Sequence, residues 1–306
     1  FVRKPTADPF SLEIRVQTST TIQKGPCRFM IRGNYHTHCS FCDGALEPEA
    51  FVAEALRQGM DPLGFTSHAP LPFPNTFTMK MEQVPDYLRI LRELRERYRD
   101  SIRVLAGLEI DFVPGIEEYQ EGFYSLGLDF TIGSVHYVDA DEQGTPWPVD
   151  AEPELFDRGI VEVFRGNVRA AVERYYQLVR EMVGTNRHTL VGHLDVIKKN
   201  NPNGRYFSED EPWYRDAVEE TLEAIVRSPA ILEVSTGGIR KNVGIYPGVP
   251  ILKRCRERGV RITLCSDAHH PDHLSAGYPG VEQLLRDLGF KEIFNHTGNG
   301  WEPCPL

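Results

Sequence analysis

A closed α/β barrel of seven strand–helix units is the fold predicted by this sequence of 306 residues. Three observations predict it. From residue 27 onward a unit recurs, a short apolar run followed by a polar residue and then, repeatedly, an amphipathic helical stretch. The polar residue is most often histidine. No break in composition divides the chain. Alternating strands and helices imply parallel pairing through right-handed crossovers. An open doubly wound sheet would gather its site at one crevice from two or three loops. Functional-type residues at the carboxyl end of almost every strand are the barrel pattern instead.

Taken in order, residues 1–26 form an N-terminal extension in which only Leu12, Ile14 and Val16 alternate as a strand would. The barrel occupies 27–306. Its first run, Cys27-Arg28-Phe29-Met30-Ile31-Arg32, leads into Asn34-Tyr35-His36-Thr37-His38. A helix then starts near Glu47-Pro48, with proline at a tolerated first-turn position, and stops at Gly59. The second run, 62–66, ends in Ser67-His68 and a proline-rich loop (69–74) suited to a wall over a site. A helix over 83–99 carries Tyr87, Ile90, Leu91, Leu94 and Tyr98 on one stripe. The third run, 102–108, ends in Glu109, and the fourth, 130–135, ends in His136. One long helix is expected over 153–183. The fifth run ends in His193, the sixth in Ser235-Thr236-Gly237-Gly238, and the seventh in Asp267-Ala268-His269. A last helix covers 279–288.

Composition narrows the function. The formal charge of −10 argues against a broad surface for duplex DNA, although a metal cluster can reverse the sign inside a cleft. No nucleic-acid partner is expected. No apolar run reaches the length of a membrane span, and the beginning of the chain lacks the apolar core of a secretory signal. Six scattered cysteines are too few for a disulfide framework, and a cytoplasmic protein with reduced thiols is the expectation. Cys39-Ser40-Phe41-Cys42 matches C-x-x-C but follows His-x-His directly, outside a thioredoxin-like strand and helix.

The chemistry rests on the strand ends: His36, His38, His68, Glu109, His136, His193, Asp267 and His269, with Asp43 just after the first strand. Six of the ten histidines fall at these places, and His188, His270, His273 and His296 do not. His-x-His on a strand turns both imidazoles to one side, a natural ligand pair. Nine nitrogen and oxygen donors exceed one tetrahedral zinc site and suit two to three divalent transition metals, Zn, Mn or Fe, with Glu109 as bridge. Clustered metals suit phosphate-ester hydrolysis. Lys198, Lys199, Arg205 and Arg240 are the candidate cations for a small phosphorylated substrate. Arg240, after two glycines read as a sharp turn, is expected to grip phosphate bidentately and to leave metal content untouched when replaced by lysine. Asp267, with His269, or a metal-bound water is the candidate for proton transfer. Asp195 is expected to orient a ligand or cap the next helix.

His36-Thr37-His38, Thr66-Ser67-His68, Gly107-Leu108-Glu109, Gly133-Ser134-Val135-His136, Gly192-His193-Leu194-Asp195 and Ser266-Asp267-Ala268-His269 resemble, in order, the motifs of the polymerase-and-histidinol-phosphatase (PHP) family. The resemblance implies a distorted seven-stranded (β/α) barrel and a trinuclear metal site. The segments around His68-Ala69-Pro70-Leu71-Pro72, Lys198 to Phe207 and Thr236 to Arg240 resemble the histidinol-phosphate phosphatase branch. That implies hydrolysis of L-histidinol phosphate in histidine biosynthesis. The rival within the family is a phosphoesterase acting on nucleotides or nucleic-acid ends. A different class, a barrel that stores metal without turnover, would lack ligands or rim cations, and both are present here. Two positions depart from the family pattern: Asp43 stands where many members carry another histidine, and Ser67 replaces an acid.

Overall fold

The computed structural model describes residues 33–306, so the 27–32 run and the strand expected near Leu12 lie outside the described residues. The described residues 33–306 form one compact unit. Helix α1 (Pro48–Gln58) begins on Pro48 and ends where Gly59 takes φ +68, a left-handed cap that costs a residue without Cβ little. Strand β1 (Leu63–Phe65) follows, then α2 (Val84–Tyr98), both inside their expected ranges. Strand β2 (Val104–Asp111) is buried along its whole length and runs two residues past Glu109. A short helix α3 (Glu117–Gln120) leads to β3 (Phe130–Ser134).

Next comes an antiparallel hairpin, β4 (Tyr137–Ala140) with β5 (Pro146–Pro148), that the apolar pattern did not announce. The single helix expected over 153–183 is two, α4 (Pro153–Glu162) and α5 (Val168–Gly184). The break has a local cause. Arg165 and Gly166 both take positive φ, and the side chain of Asn167 accepts the Ala170 N–H at 3.1 Å, starting a new helix. Strand β6 (Leu190–Val191), α6 (Pro212–Arg227), β7 (Ile231–Ser235), α7 (Val249–Arg258), β8 (Ile262–Cys265) and α8 (Tyr278–Asp287) complete the alternation. The chain ends in a second hairpin, β9 (Glu292–His296) and β10 (Trp301–Pro305).

Six strands form one parallel sheet in the order β1-β2-β3-β6-β7-β8. The stretch 34–38 is hydrogen-bonded on both sides. Gly64 N–H donates to the Asn34 carbonyl at 2.8 Å, while His38 N–H donates to the Ala268 carbonyl at 2.8 Å. Buried residues of β1, β2, α1 and α2 pack as one apolar cluster, and α5, α6, α7, β7 and β8 contribute to a larger one. Tyr35, Phe130 and Trp301 pack together, with Tyr35 and Trp301 ring centroids 4.5 Å apart. The strands' carboxyl ends are thereby left for polar side chains. No helix among the described residues is long and apolar enough to cross a membrane.

Candidate metal centre

Glu109 is the hub. It sits near the end of a fully buried strand, and its carboxylate meets imidazoles from four other segments. Oε2 lies 3.0 Å from His68 Nδ1, 3.2 Å from His36 Nε2 and 3.5 Å from His38 Nε2. Oε1 lies 3.0 Å from His193 Nε2 and 3.8 Å from His136 Nε2, and accepts the Ser134 hydroxyl at 2.6 Å. Burial opposes the charge, but His36 and His68 outweigh it and hold the Glu109 carboxyl well below the usual range.

The other two acids complete the cluster. Asp267 Oδ1 stands 3.3 Å from His38 Nε2, 3.7 Å from His36 Nε2 and 3.5 Å from His269 Nδ1. Asp43 Oδ2 stands 3.3 Å from His269 Nε2, and its Oδ1 is 3.8 Å from His38 Nδ1 and 3.9 Å from His68 Nε2. All nine residues expected at the site thus come together, Asp43 among them. Exposure grades across the cluster. The side chains of His36 and His38 are at 0%, whereas His269 and Asp43 are at 30% and 34%, which marks the open side.

Several buried atoms here lack a hydrogen-bond partner: His36 Nε2, His38 Nε2, His68 Nδ1 and Glu109 Oε2. A buried polar atom left unpaired costs about 1–3 kcal/mol, so four of them facing one another point to a missing common partner. Burial, then His269 and His68, push His38 down to about 3, which leaves its imidazole neutral with a free lone pair. Four groups of donors converge tightly enough for an ion: His38, Asp43, His68 and His269; His36, His38 and Asp267; His68, Asp111 and His136; Glu109, His136 and His193. The donor set fits divalent metals.

Two carboxylates in this network lie within strands and were missed. Asp111, two residues past Glu109 on the same face of β2, accepts from His136 Nδ1 at 2.7 Å. Glu233, inside β7, accepts from His36 Nδ1 at 2.8 Å. The spacing of Asp111 from Glu109 was a usable signal, but Glu233 within Ile-Leu-Glu-Val offered none beyond being charged in a buried strand. Ser67 faces the Cys39 thiol at 3.3 Å. Burial pushes Cys39 and Cys42 up to about 11 and about 12, and both thiols are free. His188, His270, His273 and His296 belong to none of the four donor groups.

The candidate cations have different surroundings. Lys198 is buried, its ammonium 2.7 Å from Asp195 Oδ2 and donating to the Ile245 carbonyl at 3.0 Å. Asp195 therefore serves that pair and the Gly248 N–H at 2.9 Å, and its side chain makes no capping hydrogen bond. Lys199 donates to the Asp150 carbonyl. Arg205 is exposed, pairs with Asp157 at 3.0 Å and stacks on Tyr206. Arg240 reaches the centre, donating to the carbonyls of Ser266 and Asp267. Neither Gly237 nor Gly238 has positive φ, so the reason for glycine is close approach. A Cβ on Gly237 would sit 2.8 Å from Asp267 Oδ2, and one on Gly238 would sit 2.5 Å from the Gly244 carbonyl. Lys241, not singled out from sequence, places its charge where it acts on both Asp150 and Asp267.

A parallel sheet whose carboxyl rim carries this histidine and carboxylate set defines a divalent-metal enzyme centre of the α/β class. The chain belongs to the PHP domain family, whose match spans residues 34–237. It is 30% identical over 267 residues to the "Probable histidinol-phosphatase" of Deinococcus radiodurans, covering 85% of this chain and 95% of that one. It is 26% identical to the histidinol-phosphatase of Bacillus subtilis, covering 79% and 95%. Among solved structures, the histidinol phosphate phosphatase of Lactococcus lactis, complexed with zinc, L-histidinol and phosphate, superposes with a TM-score of 0.66. The match is at 22% identity and covers 89% of this chain and 99% of that chain.

Proposed function

We propose that this chain is a metal-dependent phosphomonoesterase that hydrolyses L-histidinol phosphate to L-histidinol and phosphate in histidine biosynthesis. The convergence of nine donors, Glu109 and Asp267 among them, carries the reading, and the named relatives, matched along most of their length, support the substrate. His36, His38, Asp43, His68, Glu109, His136, His193, Asp267 and His269 hold two to three divalent ions, Zn, Mn or Fe. Such ions, when bound, supply a nucleophile at neutral pH and offset phosphoryl charge. The stretch 34–38, bonded to both β1 and the end of β8, is read as the seventh strand closing a distorted barrel. The catalytic unit is taken as 27–306 with 1–26 as an extension, in a cytoplasmic setting.

The chain's own residues have distinct tasks in this reading. Substrate arrives on the open side beside Asp43 and His269. Arg240 and Lys241 carry the positive charge on that rim and hold phosphoryl oxygens. Asp267 Oδ1, 3.5 Å from His269 Nδ1, is the pair that handles the proton. An aromatic wall flanks the cluster: Phe77 lies 4.8 Å from the His68 ring, Tyr137 stacks on Phe77, and Phe73 packs edge-on to Tyr137. A flat imidazole from histidinol fits such a wall, which also sheds water.

The test is phosphate release from histidinol phosphate, nucleoside monophosphates and p-nitrophenyl phosphate, with metal analysis of the same samples. Histidinol phosphate is expected to lead by kcat/KM. Glu109→Gln is expected to lose metal and at least about 100-fold in kcat/KM, or ~2.7 kcal/mol. A nucleotide turned over as well or better would favour the nucleotide phosphoesterase. Protein that takes up no metal after reconstitution would end both readings.

A further inference from the structure

Glu233 lies in the middle of β7 with its side chain at 0% exposure. A carboxylate taken out of water costs several kcal/mol unless each oxygen finds a donor. Both do. Oε1 accepts from His36 Nδ1 at 2.8 Å, and Oε2 accepts the backbone N–H of His193 at 2.9 Å. The two histidines come from different sides: His193 follows the neighbouring strand β6, and His36 stands in the stretch beyond β8. The other ring nitrogen of His36, Nε2, and the Nε2 of His193 both turn to Glu109, at 3.2 and 3.0 Å.

We propose that Glu233 is a positioning residue for the metal centre, fixing the tautomer of His36 and the placement of His193 through one carboxylate. A neutral imidazole that donates from Nδ1 must present a lone pair at Nε2, the atom aimed at the centre. Acceptors of this kind on ligating histidines orient the ring and raise its basicity. Two acceptor oxygens are needed because both partners donate. Glutamine has the same shape but offers one acceptor and one donor. Satisfying the His193 N–H with the amide oxygen turns the NH2 toward His36 Nδ1. The imidazole then places its proton on Nε2, where a metal requires the lone pair. Glu233→Gln thus keeps its buried atoms paired in the metal-free protein and loses affinity for metal.

The inference rests on the metal-dependent reading above, and the experiment separates the two. Zinc affinity is measured by competition with a chromophoric chelator on wild type and Glu233→Gln, alongside thermal unfolding of both proteins without metal. The expected result is a metal-free Tm close to wild type and a zinc affinity lower by roughly 10–100-fold. Wild-type affinity in the folded variant overturns the positioning role and leaves the functional reading standing. Wild type that binds no zinc overturns both. If Glu233→Gln does not fold, zinc-loaded wild type with 15N-labelled histidine gives the second measurement. A His36 Nδ1 proton with the far-downfield shift of a carboxylate-bonded imidazole is expected, and the shift of a water-bonded one overturns the proposal.

Discussion

Arg240 grips the backbone at Asp267, its Nη2 donating to the Asp267 carbonyl at 2.7 Å while its Nη1 takes the Ser266 carbonyl at 3.0 Å. Asp267 holds φ +50, a conformation that L-residues seldom adopt and that needs support from its surroundings. The guanidinium supplies that support from one side and Gly237, with no room for a Cβ, permits the approach from the other. Asp267 in turn faces His36 and His38.

The first prediction follows from that grip. Lysine has a point charge and cannot hold two carbonyls in a fixed fork. Arg240→Lys is expected to lower kcat/KM by roughly 10–100-fold, or about 1.4–2.7 kcal/mol. It is also expected to loosen metal retention, contrary to the expectation drawn from sequence, because the strand end bearing Asp267 relaxes. Steady-state kinetics with elemental analysis on one preparation decide it. Normal kinetics with full metal would make Arg240 an ordinary loop cation.

Lys198 gives the second. Its ammonium is committed to a buried carboxylate, Asp195, and lies 5.3 Å from the Tyr246 ring. Removing one member of such a pair leaves the other charged and dry. Lys198→Met is expected to destabilise the protein by about 3–5 kcal/mol in urea unfolding, with KM of the folded fraction unchanged. Removing Asp195 as well, in Asp195→Asn with Lys198→Met, should recover part of that loss. A variant of normal stability and raised KM would return Lys198 to the phosphate.

His188 gives the third, on pH. Burial, helped by Arg187, pushes its imidazole down to about 4 from an ordinary 6.5. The unfolded chain therefore binds a proton there that the folded chain refuses between those values. Stability contributed by neutral His188 is complete above the unfolded value and falls as pH drops through the window toward 4. By about pH 5 the cost is on the order of 2 kcal/mol. Urea unfolding of metal-free wild type and His188→Gln at neutral pH and at about pH 5 checks it, the variant being less acid-sensitive by that amount. Equal pH dependence in the two proteins would show that His188 charges freely in the folded state.

Much of the architecture was legible because its signals are short in sequence. Apolar runs of strand length and helical stripes three to four residues apart are set by neighbours on one element, as are the Pro48 start and Gly59 stop of α1. The helix expected over 153–183 failed for a reason equally local, the Gly166-Asn167 stop and cap inside a continuing apolar pattern.

The sequence by itself determined the alternation of strands and helices and singled out the nine candidate donors, because a short apolar run and the polar residue that follows it are neighbours in the chain. Only the tertiary structure decided which charges meet. Lys198 is taken by Asp195, Arg205 by Asp157 and Arg240 by two carbonyls, so that cations alike in sequence have unlike duties. Glu233 became part of the centre only when a strand 197 residues away in sequence from His36 was folded beside it. The physical reason is the same in each case. Backbone periodicity is a property of a few successive residues, whereas a buried charge chooses its partner by distance in space after the sheet has assembled.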